Sequence, residues 1–169
     1  MKRMLSLLLL LGLPACQTPP EGVANKVLAD FGLKERPEGY VSASDEVFKR
    51  LDNVGKAELK RMNLTHRHGE VKQETQDLKT RFFKEVKTYE KYYPLDANAT
   101  AGTAGSSRGF TAYIEYSYRV FQSPRFETRA EAEASSASDP TDQQGREVYS
   151  YKFGPTGNWD GAKGEPAGK

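Results

Sequence analysis

The sequence predicts an α+β fold: one main N-terminal helix packed on a curved antiparallel meander of three to four strands. Three observations carry this. Residues 44–62, "SDEVFKRLDNVGKAELKRM", hold apolar side chains at helical spacing. Residues 110–122, "FTAYIEYSYRVFQ", alternate aromatic or aliphatic with polar residues, the period of a half-buried strand. The helical stretch comes before the strands rather than between them, so hairpins and not helical crossovers join the strands.

The elements follow in order. Residues 16–40 begin with Pro19-Pro20 and are expected to be an extended tether. Val23, Val27, Leu28 and Phe31 place a short helix inside it. In 44–62, Ser44 is a candidate cap, and Asp45 and Glu46 sit beside the positive end of the helix dipole. Phe48, Leu51, Leu59 and Met62 form its stripe, flanked by Val47 and Val54. Gly55 interrupts it at a cost of about 1 kcal/mol relative to alanine, which implies close packing or a break. Residues 80–95, "TRFFKEVKTYEKYYPL", are rich in aromatic and β-branched side chains and read as a strand. Residues 66–78 read as a weaker strand. The small residues of 96–109 are expected to form a hairpin loop.

Phe110, Ala112, Ile114, Tyr116, Tyr118 and Val120 fall on one face of the next strand. Thr111, Tyr113, Glu115, Ser117 and Arg119 fall on the other. Residues 128–136 read as a short helix, with Thr128 and Glu131 at capping-box spacing. Residues 138–145 read as a loop. Residues 146–153, "REVYSYKF", form the last strand, with Tyr149, Tyr151 and Phe153 on one side. The domain is thus expected over 41–155, and 156–169 as a flexible glycine-rich tail.

The first sixteen residues carry the most specific signal. Lys2 and Arg3 precede the apolar run Leu5–Leu13, nine residues long. A spanning helix needs about 20, whereas a secretory signal needs a short apolar stretch behind a basic start. Leu13-Pro14-Ala15-Cys16 follows, and Cys16 is the only cysteine in the chain. This pattern resembles the lipobox of bacterial lipoprotein precursors, with Pro14 in place of the usual small residue. The resemblance implies that residues 1–15 are a signal peptide, cut between Ala15 and Cys16. It implies acyl chains on Cys16 that anchor the chain to a membrane. Gln17, rather than Asp, after the cysteine implies the periplasmic face of the outer membrane.

Without residues 1–15, 154 of the 169 residues remain, and 23 basic side chains face 23 acidic ones. Nucleic-acid binding proteins carry a basic excess, so nucleic acid is not an expected partner; an envelope protein is. With Cys16 lipidated, no thiol is left for a disulfide or a nucleophile. His66, His68 and Glu70, in "THRHGE", would share one face of a strand and suit a divalent metal. No third or fourth ligand is evident elsewhere, so no metal and no cofactor is assigned. "GTAGSSRG", 102–109, lacks the ending of a phosphate loop and precedes a strand. Glu115, Glu127, Glu131 and Glu133 are interleaved with arginines and read as solvated ion pairs. No catalytic residue is assigned.

Nine tyrosines are the most unusual feature. Tyrosine joins an apolar body to a polar tip and is frequent at interfaces. Thr111, Tyr113 and Arg119 form the expected binding face, against ordinary cross-strand packing as the alternative. The function expected is a non-catalytic protein-binding or assembly module in the cell envelope. The alternative is a carrier holding a small apolar ligand between helix and sheet, the arrangement of cystatin-like and NTF2-like modules. Those modules share the element order, an analogy of fold alone.

Overall fold

In a computed structural model, residues 21–36, 40–100 and 108–168 are described. The element order is α1 (Glu21–Asp30), α2 (Ala43–His66), β1 (Glu70–Gln76), β2 (Lys79–Thr100), β3 (Gly109–Gln122), α3 (Arg129–Ala134), β4 (Asp139–Phe153) and β5 (Glu165–Pro166). The fold is α+β, with one curled antiparallel sheet in the order β1-β2-β3-β4-β5. The sheet has five strands rather than three to four, and α1, at the place of the short helix expected inside the tether, precedes the main helix α2. The expected signal peptide, with Ala15 and Cys16, lies outside the described residues.

α2 is longer than expected at both ends. Its cap is Ser42, not Ser44: the Ser42 Oγ accepts from the Asp45 amide at 3.1 Å. Gly55 does not break it. A Cβ there would stand 2.3 Å from the Tyr92 ring, so this glycine lets β2 press against the helix. Val47, Leu51, Val54 and Met62 are buried against Tyr89, Ile114, Tyr116 and Tyr151 of the sheet. Phe48, read as part of the buried stripe, is nearly half exposed. Residues 66–78 are not one strand. His66 ends α2, Gly69 turns the chain at φ 61°, and only Glu70–Gln76 is strand.

β2 is the longest strand of the sheet, with 22 residues against 14 in β3 and 15 in β4. Two bulges, between Tyr89 and Lys91 and between Pro94 and Asp96, shift which residues of β2 face inward. Glu85, Lys87 and Tyr89 face the helix side, then Tyr92 and Pro94, then Ala97. β1 pairs only as far as Glu70 with Glu85, and among the described residues no strand covers the rest of that β2 edge. At the first bulge Asn63 substitutes for one. Its side chain donates to the Tyr89 carbonyl and accepts from the Tyr89 amide, both at 2.8 Å. The remaining edge carries Pro94 and a second bulge, devices that discourage pairing with another chain.

β3 alternates as its sequence predicts: Phe110, Ala112, Ile114, Tyr116 and Val120 are buried. α3 is shorter than expected, and its Thr128–Glu131 capping box is present. The expected 138–145 loop is strand instead, since β4 begins at Asp139 and pairs with the far end of β3. The expected loop at 96–109 is also shorter, because β2 continues to Thr100 and β3 starts at Gly109; residues 101–107 lie outside the description.

The glycine-rich end folds back on the domain. Trp159 stands edge-on to Tyr151, and Glu165–Pro166 pairs with β4 at Tyr149–Ser150. Arg50 of α2 donates to Asn158 Oδ1 at 2.9 Å. Glu58, 2% exposed, ties this segment to the core. It accepts from Arg61 Nε at 2.6 Å, from the Gly164 amide at 3.2 Å and from the Tyr151 hydroxyl at 3.4 Å. A buried carboxylate is tolerated only with such partners.

Candidate functional site

The concave side of the sheet is longer than the helix that covers it. α2 stops at His66, while β2, β3 and β4 run on. Gly69 makes the sharp exit possible, since a Cβ there would meet the Glu85 carbonyl at 2.4 Å. The uncovered part of the concave face is a cleft of about 680 Å³. Lys87, Tyr118 and Val120 form its floor, and His66 and His68 its rim.

The floor is a tightly satisfied cluster. The Lys87 ammonium pairs with Glu147 of β4. It also stands 3.9 Å from the centre of the Tyr118 ring and 5.2 Å from that of Tyr89, a cation–π arrangement. The Tyr89 hydroxyl donates to the Glu147 carboxylate at 2.7 Å, and that of Tyr149 at 3.1 Å. Gly145 leaves the space for Tyr118: a Cβ there would lie 2.6 Å from its hydroxyl. Behind the floor, Tyr116 meets both Tyr89 and Tyr149 edge to face, with ring centres 6.3 and 5.8 Å apart.

Electrostatics follow from these contacts. Burial alone would raise the Glu147 carboxyl, but Lys87 and the Tyr89 hydroxyl outweigh it and hold the group below the usual carboxylate range. Glu85, in the wall, is likewise held low by Lys72 and Gln122 against its own burial. Burial, with Tyr149 and Glu147 beside it, pushes the Tyr89 hydroxyl far up. Glu147 thus stays charged and Tyr89 stays a neutral donor. With these charges already paired, the floor offers an aromatic surface for stacking and a polar rim for hydrogen bonds.

Thr111, Tyr113 and Arg119 do share a face, but it is the convex one, and they are spread over about 26 Å of strand. Thr111 Oγ1 lies 2.9 Å from Thr100 Oγ1, and Arg119 Nε lies 3.5 Å from Glu90. All three are half-buried, and the fold does not gather them into one site. His66 and His68 both line the concave cleft, one at a helix end and one in the following turn rather than on a strand. His66 faces the Tyr89 ring, and His68 Nε2 accepts from Arg67 at 3.0 Å. Among the described residues, no three His, Cys, Asp or Glu side chains converge in a way that suits a metal ion.

Lys87 and Glu147 were not singled out from the sequence, although a signal was there. Each is a charge at a position whose neighbours two residues away, Tyr89 and Tyr149, face inward. A charge on the inward face of a strand needs a partner, and here each supplies the other across β3. Comparison with protein-family models, curated proteins and solved structures finds no match for the chain.

Proposed function

We propose that this chain is a lipid-anchored protein of the bacterial envelope whose α+β domain acts as a non-catalytic binding or assembly module, with the open end of the concave sheet face as its recognition surface. The anchor rests on the Leu13–Cys16 motif. The recognition surface rests on one observation: the Lys87–Glu147 pair is held by tyrosines from three strands beneath a cleft that α2 leaves uncovered. Rigid aromatic side chains suit an interface, because little freedom is lost when a partner covers them.

The carrier alternative needs a cavity beneath α2. Leu51, Ile114 and Tyr116 have zero exposure there, so no void large enough for water adjoins them. Nothing in the packing favours that reading.

The test is affinity capture of the full-length, natively lipidated protein from crosslinked envelopes, with mass spectrometry of bait and bound protein. The expected result is a stoichiometric envelope protein retained by wild type and by Thr111→Ala, and lost with Tyr118→Ala. A partner retained by Tyr118→Ala and lost with Tyr113→Ala would move recognition to the convex face. An unmodified Cys16 in the bait would end the lipoprotein reading.

A further inference from the structure

The chain enters the domain at an end that carries exposed apolar side chains. Leu28 is 37% exposed, Leu33 54% and Val41 45%. Leu28 and Leu33 are neighbours. The Leu33 amide donates to the Leu28 carbonyl at 2.8 Å, at the end of α1, where Gly32 takes a left-handed φ of 70°. Lys34 reaches back to Asn25 Oδ1 at 2.9 Å, one turn before Leu28. Val41 lines a cleft of about 670 Å³ with Lys34, Glu35, Arg36 and Tyr40, of which two are basic and one is acidic. α1 is fixed to the domain. Ala29 is 1% exposed, Phe31 packs on Phe110 with ring centres 5.4 Å apart, and Lys26 pairs with Glu46. The apolar patch therefore moves with the domain and is not part of a free tether.

Four residues separate Cys16 from Glu21, and the five steps between them span at most about 18 Å. An acylated Cys16 must lie at the surface of the bilayer, so the first helix cannot stand far from it. We propose that this end of the domain lies against the lipid surface. Leu28, Leu33 and Val41 meet the boundary between headgroups and acyl chains, and Lys34 and Arg36 meet the lipid phosphates. Apolar side chains backed by basic ones are the composition of interfacial segments. β2 then runs toward the membrane from the Asp77–Leu78 turn, which is the far tip of the domain. The inference rests on lipidation of Cys16.

The experiment uses the full-length lipidated protein in vesicles of phosphatidylethanolamine and phosphatidylglycerol. Cys16 is the only native cysteine, and its sulfur is blocked when acylated, so Leu33→Cys, Val41→Cys and Leu78→Cys each offer one thiol for an NBD fluorophore. All three positions are exposed, so the substitutions leave the core intact. Mass spectrometry of the N-terminal peptide is read on the same samples. The expected result is blue-shifted emission at positions 33 and 41, quenched several-fold more by spin-labelled lipid than the label at 78. Equal, aqueous emission at all three positions, with Cys16 acylated, overturns the inference and leaves the anchor standing. Blue-shifted emission that the lipid quencher does not reach also overturns it, because a protein surface, a second copy included, then covers the patch. An N-terminal peptide without lipid removes the anchor and the inference together.

Discussion

Gly55→Ala is a substitution for which helix propensity and packing predict opposite signs. In the middle of a 24-residue helix, glycine to alanine should stabilise by about 1 kcal/mol. Here the new Cβ would stand 2.3, 2.8 and 2.9 Å from three atoms of the Tyr92 ring. To regain ordinary contact, 3.4 Å or more, the ring must retreat by about 1 Å. It is attached to β2 and tied by its hydroxyl to Asp52 at 2.7 Å. Overpacking of this kind costs about 1–3 kcal/mol. The half-buried ring relaxes partly outward, so the net effect is destabilisation by about 1 kcal/mol. In a Tyr92→Ala background the obstruction is gone, and the same substitution should stabilise by about 1 kcal/mol. The coupling between the sites is therefore about 2 kcal/mol, which urea unfolding of the four proteins measures directly. If Gly55→Ala stabilises equally in both backgrounds, the close approach of β2 to α2 is wrong.

Three further outcomes follow from the same contacts. Asp77 and Leu78 take φ of 50° and 64° in a two-residue turn, and Leu78 is fully exposed. Left-handed strain of about 1–2 kcal/mol outweighs the added chain entropy of glycine, about 0.5–1 kcal/mol, so Leu78→Gly should raise Tm by a few degrees; a lowered Tm would mean that Leu78 makes a contact in the folded state. The folded Glu147 carboxyl lies below its unfolded value, so its contribution is present above the unfolded pKa and is lost as pH falls through the folded one. The stability gap between wild type and Glu147→Gln, from urea unfolding, should narrow between neutral pH and about pH 3; an unchanged gap refutes the pairing with Lys87. Burial and the hydrogen bond to Asp30 push the Tyr40 hydroxyl up to about 12. Its contribution is present below the unfolded value near 10 and is lost as pH rises through 12. Tyr40→Phe should therefore lose less stability than wild type over that interval, as followed by circular dichroism.

The concave face shows where sequence reasoning stops. Local signals were legible wherever one element decides its own form. The β3 alternation from Phe110 to Val120, the Thr128–Glu131 capping box and the 44–62 stripe need no knowledge of neighbours. β2 was harder because two bulges reset its inward parity from Tyr89 to Tyr92 and from Pro94 to Ala97. A bulge is fixed by the register with β3 and by Asn63 of α2, neither of which is local. The extent of β4 was hidden for a related reason. "SDPTDQQG" has the composition of a loop, and pairing with the far end of β3 makes part of it strand. The glycine-rich end was hidden too, because what holds it is Glu58, about a hundred residues earlier.

By itself, the sequence determined the fold class, the inward face of β3, the short apolar run before a single cysteine and the neutral balance of the residues that follow it. These depend on periodicity, composition and spacing, which neighbouring residues carry among themselves. Only the tertiary structure decided that Lys87 and Glu147 meet, that Thr111, Tyr113 and Arg119 do not form one site, and that α2 ends before the sheet does. Those depend on strand register and on the relative lengths of packed elements, and the free energy that sets both is shared among residues far apart in the chain.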